Sequence, residues 1–376
     1  AAGPERAAVA IREQDTALQL YTSGTTGKPK GVCITHANLC HQTRLIAEAW
    51  GLNSETTLLH CLPLHHMHGI AVALLPTLLA GGRVHMLPRF DAQAVWEQLG
   101  NNNTFMAVPT MYRRLIDAYD EAQEDEQRRW KRAAQELDLS TSGSAALPVT
   151  LAERWRDLHG AIPLERYGMT EIGVGLSNPR DAGKRRQGHV GLPLDTVELR
   201  LVDDSGKEVE EGPGEIWIRG PSVFSHYWRR LKESEQSFHN GWFKTGDRAE
   251  RNVGGSYRIL GRHSVDILKS GGYKLSALEI EEVLREHPLI AETAVVGLDD
   301  PEWGQRVVAA IVSCPGAPRE KLDDAHLRRW MKEQLAPYKV PRHFLLVDSL
   351  PQNAVGKVLK PALALELAAR LAQALR

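Results

Sequence analysis

The residue types with most to offer chemically are gathered in Tyr21-Thr22-Ser23-Gly24-Thr25-Thr26-Gly27-Lys28-Pro29-Lys30-Gly31. Hydroxyls, glycine amides and two lysines in one short stretch suit a polyphosphate, because backbone N–H groups can wrap its oxygens while the ammonium groups neutralise its charge. The stretch is not a Walker A loop. That motif needs four residues between its glycines and a Ser or Thr after the lysine, whereas here two intervene and Pro29 follows Lys28. Four histidines, His60, His65, His66 and His68, lie close enough in sequence to suggest a metal site. Pro63 and Gly69 predict loop geometry there rather than an i, i+4 helical pair, which disfavours zinc. The cysteines Cys33, Cys40, Cys61 and Cys314 form no C-x-x-C pair, so they read as plain buried thiols of a reducing compartment.

These residues need a scaffold, and the pattern up to about residue 200 supplies an α/β layer structure. Leu18 to Thr22, Arg83 to Leu87, Phe105 to Val108 and Ile162 to Tyr167 read as strands. Asp91 reads as the N-cap of a helix carrying Ala94, Val95 and Leu99 on one side. Tyr112 to Glu136 reads as a helical hairpin with a solvated face. From 195 to 261 the period becomes two, over Val197 to Val202, Gly214 to Arg219 and Ser256 to Leu260, with Asp203 to Gly206 and Asn252 to Gly255 as turns. That pattern predicts a small antiparallel section. A further α/β unit follows. Ser276-Ala277-Leu278-Glu279 reads as a capping box opening a helix that stops before Pro288. Glu292 to Gly297, Arg306 to Ser313 and His343 to Asp348 read as strands around a second helix, Ala325 to Leu335.

Composition bounds the whole. With 376 residues, 42% hydrophobic and 25% charged, the chain has room for two to three domains and the balance of an ordinary soluble enzyme. Forty-six Lys plus Arg against 47 Asp plus Glu leave a net charge of −1, so nothing global draws the chain to nucleic acid. No run approaches the roughly 18 apolar residues that span a bilayer; the longest candidate, Ile70 to Ala80, contains Pro76 and Thr77. The opening residues lack Met and any signal-peptide pattern, and the first motif arrives at once, which predicts a piece of a longer chain. Its compartment is then cytoplasm or mitochondrial matrix, with no means of choosing between them.

The phosphate loop resembles that of the adenylate-forming superfamily, and five further motifs of the superfamily follow in order. Leu62-Pro63-Leu64-His65-His66-Met67-His68-Gly69 resembles its substrate-side motif, and Tyr167-Gly168-Met169-Thr170-Glu171 its adenine and magnesium motif. Gly241-Trp242-Phe243-Lys244-Thr245-Gly246-Asp247 resembles the ribose motif, Gly261-Arg262 the start of the hinge, and Leu350 to Lys357 the C-terminal catalytic loop. The resemblance implies a large adenylating domain at 1–262, N-terminally incomplete, and a small mobile α+β domain at 263–376. It implies ATP and CoA as substrates with Mg²⁺, and no carrier domain in this chain. Thr22, Ser23, Gly24, Thr25, Thr26, Gly27, Lys28, Pro29 and Lys30 would hold the β and γ phosphates, with Ser144, Gly168 and Met169 also on the nucleotide side. Tyr167 would stack on adenine, Asp247 and Arg262 would hold the ribose, Thr170 would lie beside the α-phosphate, and Glu171 would bind Mg²⁺. His66 would line the acyl pocket beside the α-phosphate as a catalytic residue, sharing the substrate carboxylate with Arg166, the other histidines being satisfied polar groups. Lys357 would bridge the attacking carboxylate and the α-phosphate.

For the second half-reaction the resemblance implies rotation of the small domain, bringing in the loop with Ser270, Gly271, Gly272 and Tyr273. Many relatives have Asp two residues after the hinge Arg; here Ser264 stands there, with Asp266 later. The substrate is addressed by Arg166, at the end of a predicted strand. A guanidinium buried there makes sense with a substrate bearing a second carboxylate, the alternative being a pair with Glu165 or another acid of the protein. The sequence around Arg166, with Ser142 to Leu147, Pro221 to Phe224 and Ser264 to Glu279, resembles the malonyl-CoA synthetase branch, with methylmalonate as the nearest competitor. A medium- or long-chain acyl-CoA synthetase and a non-catalytic nucleotide-binding fragment are the other readings.

Overall fold

The computed structural model describes residues 10–22, 29–353 and 356–374. The larger domain is built on a seven-stranded sheet in the order Arg83–Met86, Thr57–His60, Thr104–Ala107, Leu139–Ser142, Leu164–Met169, Gly173–Ser177, Leu192–Pro193. The first five strands are parallel and the last two antiparallel. Alternation along each strand feeds two cores. Leu58, Met106 and Leu164 pack with Ile46 and Trp50 on one face, while Leu59, Phe105 and Ala107 pack with Trp96, Tyr112 and Trp155 on the other. The inner strands are buried on both faces, although Leu139–Ser142 and Leu164–Met169 carry polar residues inward, while the edge strand Arg83–Met86 is largely exposed.

Helices Ala92–Leu99, Pro109–Glu121, Glu124–Gln135 and Val149–His159 cover the second face. Asp91 caps the first of them as its position predicts, its Oδ1 accepting from the Ala94 N–H at 2.9 Å. The expected hairpin forms over 109–135, and beneath its charged side it has a buried one: Trp130 stacks on Trp96 at 5.5 Å, and Trp96 lies 6.0 Å from Trp155.

The antiparallel section pairs Glu198–Val202 with Pro213–Arg219, and the latter with Trp242–Arg251. Trp242–Arg251 also pairs with Tyr257–Arg262 and is the central strand. Its polar residues Thr245, Asp247 and Arg248 are buried, which hides the strand from a search for alternating apolar residues.

In the smaller domain Tyr273–Ser276, Ile267–Ser270, Gly304–Ser313 and Ile290–Asp300 form a sheet, with His343–Leu346 parallel to Gly304–Ser313. Helices Ala277–Arg285 and Asp324–Gln334 cover one face, and Lys360–Ala374 covers the other. The predicted capping box is half formed. Ser276 Oγ accepts from the Glu279 N–H at 3.1 Å, but the Glu279 carboxylate takes Lys339 Nζ at 2.7 and 2.8 Å instead of reaching back. The hydrophobic clusters of the larger domain draw on residues up to Ile259, and those of the smaller on Leu268 onward. No helix among the described residues is long and apolar enough to cross a membrane.

Candidate active site

Asp247 and Arg262 are cross-strand partners in the antiparallel section, and Tyr167 reaches them from the parallel sheet. The Tyr167 hydroxyl donates to Asp247 Oδ2 at 2.7 Å, and Arg262 Nε donates to Asp247 Oδ1 at 2.8 Å. Burial raises the Tyr167 phenol and the Asp247 carboxylate raises it further, so it stays a donor. For Arg262, burial works against the charge, but Asp247 outweighs it and raises the guanidinium.

Glu171 follows the end of strand Leu164–Met169, at a chain reversal that lets Gly168 and Gly173 touch. A Cβ on Gly168 would lie 2.0 Å from the Gly173 carbonyl oxygen. Glu171 is buried, and its Oε1 accepts from the Tyr227 hydroxyl at 3.0 Å while Oε2 has no partner among the described residues. Burial raises this carboxyl. Met169 and Thr170 are half-buried beside it. Among the described residues no three His, Cys, Asp or Glu side chains group to hold a metal. Glu171 therefore fits Mg²⁺ as a single protein oxygen, the remaining ligands being phosphate and water, in keeping with that ion's preferences.

Of the phosphate loop, Ser23, Gly24, Thr25, Thr26, Gly27 and Lys28 lie outside the described residues. Its base is clear. Thr22 and Lys30 are partners across the hairpin Thr16–Thr22 and Lys30–Thr35, followed by Gly31, with Pro29 just before it. Lys30 Nζ lies 5.1 Å from the centre of the Tyr227 ring, whose hydroxyl holds Glu171.

Arg166 is buried, with Nε and Nη2 unpartnered, and it forms no ion pair among the described residues. Burial lowers its guanidinium to about 10. It packs on Gly143 so closely that a Cβ there would lie 2.4 Å from its Cζ. Pairing with Glu165 is overturned: successive residues of a strand face opposite ways, and the Glu165 carboxylate accepts from the Gly188 N–H at 3.1 Å. His68 shares the Arg166 side, 3.3 Å from Ser144 Oγ through Nδ1, with Nε2 unpartnered. Burial and the Arg166 charge hold His68 well below the ordinary imidazole value. His66 is half-buried, lowered by burial and by its neighbour His65.

One expectation about the histidines needs correction: those other than His66 are not all satisfied, since among the described residues both ring nitrogens of buried His60 and Nε2 of His68 lack partners. The expected loop holds over 61–66, a stretch of turn and bend, but His68–Leu74 is π-helix, made possible by Gly69, where a Cβ would meet the Pro63 oxygen at 2.2 Å. His68 carried no signal of its own in the sequence, because the π-helical widening that aims it arises from packing.

Lys357 leaves a tight turn in which its N–H donates to Asn353 Oδ1 at 2.9 Å, and Ala354 and Val355 lie outside the described residues. Gly356 seats the turn against Pro109–Glu121: a Cβ there would be 2.9 Å from Thr110 Oγ1. Desolvation and the Arg262 charge lower the Lys357 ammonium, while Asp247 and Asp266 oppose them, so the lysine lies within electrostatic reach of the Tyr167–Asp247–Arg262 cluster. Ser264 is exposed. The acid of that segment is Asp266, which accepts from the Arg262 N–H at 3.0 Å and from Lys360 Nζ at 2.5 Å.

Gly271 and Gly272, at φ 57° and 81°, form the two-residue turn joining Ile267–Ser270 to Tyr273–Ser276, a conformation that favours glycine at both positions. Ser270 is buried and Tyr273 is exposed, stacked on Tyr338 at 4.5 Å. Beside the turn is a cleft of about 170 Å³ lined by Trp303, Arg328, Lys332 and Arg342 among others.

The family profile described as AMP-binding enzyme matches residues 2–228, and that of the AMP-binding enzyme C-terminal domain matches 279–357. The chain is 44% identical to a malonate–CoA ligase of Arabidopsis thaliana, covering 93% of this chain and 60% of the relative. It is 42% identical to the mitochondrial malonate–CoA ligase of Homo sapiens, covering 92% and 65% respectively. ATP-bound MatB from Rhodopseudomonas palustris superposes with a TM-score of 0.88 at 35% identity, over 95% of this chain and 69% of that one; apo MatB gives 0.76. The chain thus spans 60% and 65% of the two curated relatives. With both profiles matched in order and more than half of the chain covered by the first, this chain belongs to the AMP-binding enzyme family.

Proposed function

We propose that the chain is the acid-activating part of a ligase that joins malonate to CoA, with ATP consumed to AMP and pyrophosphate. The observation that carries this reading is Arg166, a buried guanidinium whose Nε and Nη2 have no partner among the described residues. Leaving such a group unpaired is costly, and a second carboxylate on the substrate would remove the cost through a bidentate pair. The relatives named malonate–CoA ligases support the same substrate class.

The residues divide the work as follows. Thr22 to Lys30 would take the β and γ phosphates at the mouth of the hairpin, beside Glu171. When bound through Glu171, Mg²⁺ would neutralise charge on the phosphate oxygens. Tyr167 would lie against adenine while Asp247 accepts from the ribose hydroxyls and Arg262 holds Asp247 in place through its Nε hydrogen bond. Arg166, with neutral His68 and Ser144 alongside, would hold the distal carboxylate, leaving the other free to attack the α-phosphorus; pyrophosphate leaves. Lys357 would bridge attacking and phosphate oxygens, work that is mainly positioning and charge neutralisation. The CoA thiolate then attacks the acyl carbon of malonyl-AMP and AMP leaves. The Gly271-Gly272 turn would admit the thiol arm, and the cationic, aromatic cleft beside it suits the phosphates and base of CoA.

Residues 1–262 would form the adenylating domain and 263–376 the mobile one. The higher TM-score to ATP-bound than to apo MatB supports a nucleotide-holding arrangement of the two. The decisive experiment measures pyrophosphate release and CoA thioester formation with malonate, methylmalonate, acetate and a long-chain acid. Malonate should be preferred with acetate poor. Efficient use of the long-chain acid would overturn the malonate assignment, and ATP binding without pyrophosphate release would favour a non-catalytic nucleotide-binding fragment.

A further inference from the structure

Glu282 and Val149 lie on opposite sides of Arg262 in sequence and meet in space, Glu282 Oε1 accepting from the Val149 backbone N–H at 2.6 Å. Val149 is the first residue of helix Val149–His159, and the residue before it, Pro148, offers no side-chain cap. Its N–H is one of the donors a helix start leaves unpaired, and a carboxylate also suits the positive end of the helix. The cap thus comes from the other domain. The seat is finished from the larger domain by Gln187 Nε2, which donates to the Val149 carbonyl at 2.8 Å, and by Glu165, whose buried carboxyl the Glu282 charge helps to raise.

Behind Glu282 the contact continues inward. Arg285 donates to Glu282 Oε2 at 3.3 Å and to Glu281 Oε2 at 3.1 Å, and Lys360 Nζ joins Glu281 Oε1 at 2.7 Å to Asp266 at 2.5 Å. Asp266 in turn accepts from the Arg262 N–H. An unbroken polar chain therefore runs from the start of the larger domain's helix to the segment where the chain passes between domains. No hydrophobic cluster among the described residues spans that segment, so these polar contacts, with the close seat of Gly356 on Thr110, bear on the orientation of the smaller domain. A cross-domain ion pair, Lys274 with Asp204, is largely exposed and correspondingly weak.

We propose that Glu282 is a positioning residue: by capping Val149–His159 it holds the smaller domain in the orientation that brings Lys357 to Asp247 and Arg262, and so favours acid activation over thioester formation. This rests on the ligase reading above for its chemical consequence, though not for the contact itself. A cap at a helix end can be released to water, which makes the contact reversible, as a domain that must move requires.

The test pairs Glu282→Ala, at a half-exposed helix position where alanine is favourable, with Val149→Pro, which deletes the donor yet suits the first turn of a helix. Glu286→Gln, an exposed carboxylate at the end of the Glu282 helix, is the control. Amide hydrogen exchange over 147–153 should speed up in Glu282→Ala and not in the control. Malonate-dependent pyrophosphate exchange should fall about tenfold in either variant, as expected for one charge-assisted hydrogen bond, and no further in the double variant. Thioester formation from supplied malonyl-AMP should be unchanged or faster. Unchanged exchange at the helix start, equal loss in both half-reactions, or additive losses would each overturn the proposal. A wild-type chain that releases no pyrophosphate would instead sink the ligase reading, and hydrogen exchange would still decide whether Glu282 docks the domain.

Discussion

Two neighbouring residues, Glu165 and Arg166, show how strand alternation separates structural from chemical roles. Arg166 faces the side of His68 and Ser144, and Arg166→Ala is expected to remove the preference for malonate over acetate while leaving ATP binding in place, read from kcat/KM for the two acids. Glu165 faces the other way, where burial pushes its carboxyl up to about 8 against the Gly188 and Leu147 N–H groups that favour ionisation. The sign follows from linkage: with the folded value above the unfolded one near 4.5, the folded state binds the extra proton. Stability contributed by this group is present below about pH 4.5 and is lost as pH rises toward 8. Glu165→Gln should flatten that fall in urea-unfolding midpoints between pH 5 and 8; an unaltered profile would show that Glu165 ionises normally.

At the scale of elements, legibility depended on whether the signal was local. The Asp91 cap, the Asp203 to Gly206 turn and the helical hairpin rest on neighbours in sequence and formed where their residues predict. Strand Trp242–Arg251 did not announce itself, because Thr245, Asp247 and Arg248 are buried by partners far away in the chain. The π-helical turn at His68 is of the same kind. Two substitutions probe these elements. Asp91→Ala should cost about 1 kcal/mol by loss of one cap, whereas Trp155→Ala, in the tryptophan cluster, should cost about 3–5 kcal/mol. Denaturant titration of both separates a local end effect from a core cavity.

For the whole molecule, the separation of the hydrophobic clusters on either side of Arg262 predicts two unfolding transitions rather than one. Lys360 stands between Asp266 and Glu281 in the smaller domain, and burial of the three is tolerated only because the charges meet. Lys360→Met would leave two buried carboxylates unpaired and should destabilise that domain by about 3–5 kcal/mol, moving only its transition in calorimetry. A single shifted transition would show that the domains unfold together.

By itself the sequence determined the order of the motifs, the α/β layering and the types of residue proposed to meet phosphate, ribose and carboxylate, because those signals are runs of adjacent residues whose backbone and side-chain chemistry is intrinsic. Only the tertiary structure decided that His68 stands on the Arg166 side, that Arg166 Nε and Nη2 lack a partner among the described residues, that Asp266 accepts from the Arg262 N–H and from Lys360, and that Glu282 caps a helix of the other domain. Each of these depends on burial and on approaches between residues tens to hundreds of positions apart, which propensity and spacing do not encode.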